Sequence, residues 1–170
     1  KAGPCENINI QDNTVYHAHG GFVIGSEFSG GMKNIVVRNN TFQGTDAGLR
    51  FKSAVKRGGK SENIYIDHIY MTDITGDAIT FETTYFDNHV GAKQQAAPIK
   101  QEFLPDFQDI HISNVYVRGC KNGIVAHGAE GMIHDITIKD CNIFYNKNAK
   151  DIDAACKITL ENVNFSTFAK

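Results

Sequence analysis

The sequence predicts an all-β fold, a right-handed parallel β-helix forming one solenoid domain over residues 1–170, and three observations predict it. A short polar-apolar-any-apolar pattern recurs along the chain. A second strand-like segment sits inside most repeats. Turn residues, not helical periods, separate the two.

The first pattern occurs as Asn7-Ile8-Asn9-Ile10, Asn34-Ile35-Val36-Val37 and Asn63-Ile64-Tyr65-Ile66. It returns as Asp109-Ile110-His111-Ile112, Asp135-Ile136-Thr137-Ile138 and Lys157-Ile158-Thr159-Leu160. The steps between starts are 27, 29, 46, 26 and 22 residues, mostly in the solenoid range. Each copy alternates apolar with polar, as a strand with one buried face must, and Ile, Val, Tyr and Thr favour strands. The inner segments are Gly21-Phe22-Val23-Ile24, Gly48-Leu49-Arg50-Phe51, Ala78-Ile79-Thr80-Phe81 and Gly123-Ile124-Val125-Ala126, and Gly, Asn or Asp turns set them off. With only three prolines, most backbone amides are free to join ladders. Stacked coils would then bury their apolar columns against one another. An antiparallel sandwich of short strands is the competing architecture, but it does not require a near-constant coil length. The 46-residue step is explained by a long loop excursion over residues 86–106, which carries Gly91, Gln94, Gln95, Pro98 and Pro105.

Composition limits the function classes. Apolar residues make up 41% of the chain and charged residues 21%, which argues against disorder. The net charge of −2 provides no basic field for nucleic acid or an anionic membrane, and no apolar run approaches a membrane span. The first residues show no charged-then-apolar leader. Cys5, Cys120, Cys141 and Cys156 form no close pair, so their redox state stays open. His17, His68, His89, His111 and His134 lack ligand-like spacing, so neither a metal nor any other cofactor is expected.

Register converts the repeat into chemistry. Aligning the inner strands on Gly21, Gly48, Ala78 and Gly123 turns Phe22, Leu49, Ile79 and Ile124 inward, and likewise Ile24, Phe51, Phe81 and Ala126. Outward-facing positions are Val23, Arg50, Thr80 and Val125, then Gly25, Lys52, Glu82 and His127. With coils roughly 4.8 Å apart, Glu82 adjoins Lys52, and Gly25 is expected to leave open space on the other side. His19 lies just before the strand, and the cations Lys56, Arg57 and Lys60 follow it. This face is either a solvated surface with a weak Lys52–Glu82 ion pair or a seat for an anionic ligand such as an acidic sugar.

At these residues the sequence resembles family 28 of the glycoside hydrolases, the polygalacturonase family. His19-Gly20 in the run His17-Ala18-His19-Gly20-Gly21 is similar to that family's G-H-G motif, with Ala18 for the first glycine. Val23-Ile24-Gly25-Ser26-Glu27 fits the segment that follows. Arg50-Phe51-Lys52 resembles R-I-K, and Tyr85 matches the family's tyrosine. The excursion after Tyr85 resembles one in exo-acting bacterial members. The likeness covers most of the chain, best from Glu6 to Tyr85.

The resemblance implies inverting hydrolysis of α-1,4-linked galacturonic acid in pectin, outside the cytoplasm (secreted or periplasmic). The partner would be an acidic polysaccharide or oligogalacturonide. His19 would support a catalytic aspartate. Arg50 and Lys52 would grip the uronate carboxylate, and Glu82 beside them would belong to the same substrate-binding set. Tyr85 would contact a sugar ring or simply pack at the sheet rim, and His127 would be structural or a distal contact. The family's N-T-D and D-D motifs, which perform the hydrolysis, precede G-H-G; neither run occurs in the 170 residues. Asp12 and Asp46 have no context that makes them a general acid. The expectation is therefore the C-terminal part of a longer helix, truncated at its N-terminal end, incomplete and inactive as given. A non-catalytic carbohydrate-binding or structural β-helix is the alternative. A pectate-lyase-type eliminase is disfavoured by the lack of acidic calcium ligands.

Overall fold

The computed structural model describes residues 3–84 and 103–167, which form eleven strands. These are β1 (Cys5–Gln11), β2 (Thr14–Tyr16), β3 (Phe22–Ile24), β4 (Met32–Gln43), β5 (Leu49–Lys52) and β6 (Lys60–Thr72), followed by β7 (Asp77–Glu82), β8 (Asp106–Phe107), β9 (Ile110–His127), β10 (Ile136–Ile152) and β11 (Ile158–Thr167). All the pairings among them are parallel, which excludes the antiparallel sandwich. The crossovers wind as a right-handed β-helix, the sense that parallel connections adopt.

The five steps of the sequence repeat reappear as five stacking contacts. Ile8 lies beside Ile35, Ile35 beside Ile64, Ile64 beside Ile110, Ile110 beside Ile136, and Ile136 beside Ile158. The 46-residue step is thus a single coil step, with β9 directly on β6. Residues 85–102, which hold Tyr85 and most of the expected excursion, lie outside the described residues. The chain returns slightly earlier than expected: Asp106 already pairs with Lys60, and its amide donates to the Gly59 carbonyl (3.0 Å).

The long strands β4, β6, β9 and β10 bend at residues with left-handed φ. One corner column comprises Asn7, Asn34, Asn63, Asp109 and Asp135; a second comprises Asp12, Asn39, His68, Asn114, Asp140 and Asn162. Asn and Asp accept this conformation at little cost, which explains why they open the repeats. The first corner is also laddered: Asn34 Nδ2 donates to Asn7 Oδ1 (2.9 Å), and Asn63 Nδ2 to Asn34 Oδ1 (2.6 Å).

The core is a stack of apolar columns. Phe51 and Phe81 are stacked 4.4 Å apart and 5° from parallel, and Phe107 meets both edge-on. All three are fully buried. Ile35, Val37, Phe42 and Leu49 are buried, whereas their first-coil counterparts Ile8, Ile10, Val15 and Phe22 are half-buried, because among the described residues β1, β2 and β3 are stacked on one side only. Ile158, Leu160, Val163 and Phe165 of β11 are likewise half-buried at the opposite end.

The four cysteines are free thiols. Burial pushes Cys120 up to about 12 and Cys141 up to about 11, so both stay protonated packing groups. Among the described residues no helix is long and apolar enough to cross a membrane.

Candidate functional site

The expected columns form on the ladder β3–β5–β7–β9. Phe22, Leu49, Ile79 and Ile124 are in register, as are Ile24, Phe51, Phe81 and Ala126. Leu49 and Phe51 are fully buried, and this anchoring fixes the strand's facing. The alternation then turns Arg50 and Lys52 outward. Glu82 is the register neighbour of Lys52, and His127 is that of Glu82. Arg50, Lys52 and Glu82 are therefore brought to one face across two coils, as the sequence implies. His127 continues the column, but its Nε2 is engaged by Asp151 Oδ2 at 3.2 Å.

His19 reaches the same face from the turn before β3. Its Nε2 lies 2.8 Å from Arg50 Nη1, and its Nδ1 lies 2.9 Å from Asp46 Oδ2. Thr75 Oγ1 donates to the other carboxylate oxygen of Asp46 at 3.3 Å. The hydrogen bond from His19 holds the Asp46 carboxyl below its ordinary value. Both ring nitrogens of His19 are thus in use within the described residues. The Asp46 partnership was legible from the coil step: Asp46 follows His19 by 27 residues, the same interval that stacks Ile35 on Ile8. Thr75 lies one further coil along.

One expectation changes. Gly25 does not leave open space. Its φ is +101°, and a Cβ there would stand 1.8 Å from the Lys52 carbonyl oxygen, so the two backbones meet without room for a side chain. Two of the three cations after β5 have acidic neighbours. Lys60 is bound to Glu62 Oε2 at 2.7 Å, which raises its ammonium above the ordinary value, and Arg57 Nε faces Glu27 at 3.8 Å. The turn is tied to the strand: Ser53 Oγ donates to the Ser26 carbonyl at 3.0 Å, and Ser53 N to the Glu82 carbonyl at 2.7 Å. Among the described residues no group of three His, Cys, Asp or Glu side chains is placed to hold a metal ion.

This arrangement can hold an anion: two cationic side chains project from one short rigid strand, one of them buttressed by an imidazole. The comparisons with known proteins agree with the sequence resemblance. A family model described as "Glycosyl hydrolases family 28" matches residues 2–167. A polygalacturonase of Ralstonia solanacearum is 32% identical over 127 residues, which is 72% of this chain and 22% of that protein. An exo-poly-alpha-D-galacturonosidase of Dickeya chrysanthemi is 29% identical over 118 residues, covering 69% of this chain and 19% of that one. The crystal structure of a hyperthermoactive exopolygalacturonase from Thermotoga maritima superposes with a TM-score of 0.81 at 32% identity, over 96% of this chain and 35% of its own. The chain therefore spans between about a fifth and a third of the length of these relatives.

Proposed function

The chain belongs to the glycosyl hydrolases family 28, and on that premise we propose that its outward cationic face holds a uronate unit of a galacturonic-acid-containing polysaccharide during inverting hydrolysis of an α-1,4 linkage. The observation that carries this reading is the pair Arg50 and Lys52 on β5, projecting together from between buried neighbours, with His19 against the guanidinium. Arg50 offers a planar fork to a carboxylate and Lys52 a compact charge. Both would fix the sugar before bond cleavage. Glu82 lies beside Lys52 and would orient its ammonium. Tyr85 keeps its proposed place as a ring contact from the resemblance alone.

Inversion needs one carboxylic acid to protonate the leaving oxygen and one carboxylate to activate water from the opposite face. Asp46 is unsuited to the acid's part, since its carboxyl is bound to His19 and held below its ordinary value. Glu82 alone cannot supply a pair. The aspartates of the N-T-D and D-D motifs would instead stand on a further coil stacked against the open side of β3, beside His19. These 170 residues would then bind the substrate without cleaving it, outside the cytoplasm, where polymeric pectin lies.

The test is a calorimetric titration of trigalacturonate into this chain and into Arg50→Lys, with a reducing-end assay on polygalacturonate alongside. Arg50→Lys keeps the charge but loses the fork and the contact to His19. Affinity should fall by about tenfold or more, as for a lost charge-assisted hydrogen bond of about 1.5–3 kcal/mol. Unchanged affinity would refute the role of Arg50. Release of reducing ends by this chain would refute the placement of the catalytic aspartates elsewhere.

A further inference from the structure

The ring of His19 is held from both sides, and the proton count fixes its state. A guanidinium only donates, so Nε2, at 2.8 Å from Arg50 Nη1, is a bare acceptor. The neutral ring then carries its single proton on Nδ1, where Asp46 Oδ2 accepts it at 2.9 Å. Thr75 steadies the other oxygen of Asp46. The chain of contacts runs Thr75–Asp46–His19–Arg50 across three stacked coils.

We propose that Asp46 is a positioning residue, which selects the Nδ1–H tautomer of His19 and so aims Arg50 at the ligand's carboxylate. A carboxylate at Nδ1 can only accept, so it retains the proton there and keeps the Nε2 lone pair available to Arg50. Without Asp46 the proton can sit on either nitrogen. The Nε2–H form places an N–H against the N–H of Arg50, and the guanidinium must swing away. One consequence concerns His19 itself: while Arg50 is seated, Nε2 has no proton to give, so His19 aligns its neighbours and is not a proton donor at that atom. The carboxylate half of this inference rests on the uronate reading above; the tautomer half does not.

Nitrogen NMR of the 15N-labelled chain reads the tautomer directly, and a titration with trigalacturonate reads the aim of Arg50. Asp46 and His19 are 61% and 69% exposed, so Asp46→Ala removes little packing. Wild type should show a protonated Nδ1 and a bare Nε2. In Asp46→Ala the two nitrogens should move toward exchange-averaged shifts, with affinity lowered about tenfold, the smaller end of what a metal-binding histidine loses with the partner that orients it. Asp46→Asn, whose amide oxygen can still accept from Nδ1, should restore most of both. A protonated Nε2 in wild type would overturn the inference. So would an unchanged tautomer and affinity in Asp46→Ala. The expected tautomer shift with no trigalacturonate binding by either protein would uphold the role of Asp46 and overturn the uronate reading.

Discussion

Gly25→Ala links the packing of the coils to the site. At φ +101° the added Cβ would stand 1.8 Å from the Lys52 carbonyl oxygen and 2.9 Å from its carbon. An ordinary carbon–oxygen contact is about 3.3–3.6 Å, so the carbonyl must retreat by roughly 1.5 Å or the turn must reopen. Placing a side chain in that backbone region costs about 1–3 kcal/mol. Forcing apart a packed contact costs about 1–3 kcal/mol more. The sum of about 2–6 kcal/mol corresponds to a midpoint lowered by roughly 4–24 °C in a chain of this size. Where the Lys52 carbonyl is the part that retreats, Lys52 moves with it by more than the roughly 1 Å misplacement that can cost a site a hundredfold. Thermal unfolding followed by circular dichroism and a titration with trigalacturonate measure the two effects. Gly131→Ala is the control. Its φ is +75°, but nothing lies within 4 Å of the added atom, so it carries strain without a clash. It should cost about 1–2 kcal/mol and leave binding alone. A Gly25→Ala protein that melts within a degree or two of wild type would refute the packing argument; one that melts low but binds normally would sever its link to the site.

Phe51→Ala removes the ring that stacks on Phe81 and meets Phe107 edge-on, at a position with no solvent exposure. The cavity should cost about 3–5 kcal/mol, read as a fall of roughly 6–20 °C in the unfolding midpoint. The Asp46 contact should show in the pH dependence. Its carboxyl is lowered from 3.8 by the hydrogen bond from His19, so the stabilisation is present above that value and is lost as pH falls through the folded-state value below it. The difference in melting temperature between wild type and Asp46→Ala should therefore close below pH 3.8; a difference that widens there would contradict the assignment.

Much of the architecture was legible because one physical constraint is repeated in every coil. Asn or Asp at a left-handed corner, followed by alternating apolar residues, marked each start, and the structure stacks those starts in register. The outward column of Lys52 and Glu82 followed from alternation alone. Three features did not follow. His17 and His68 also take left-handed φ at corners, where residue type alone does not announce it. Gly25 read as empty space because an absent side chain is silent about how closely the next backbone comes. Asp46 stands in a turn with no motif around it, so its sequence context does not mark it as the partner of His19, although the coil interval places the two side by side. The turns between the strands stack with the same spacing as the strands themselves, so register extends to them as well.

The most direct measurement is a calorimetric comparison of trigalacturonate with its methyl ester, titrated into this chain at low ionic strength. The ester keeps the shape and hydroxyls of the sugar and lacks the negative charge that Arg50 and Lys52 would hold. The acid should bind and the ester should bind at least tenfold more weakly, about 1.4 kcal/mol, with a preference that shrinks as salt is added. Equal binding of acid and ester would contradict the uronate reading.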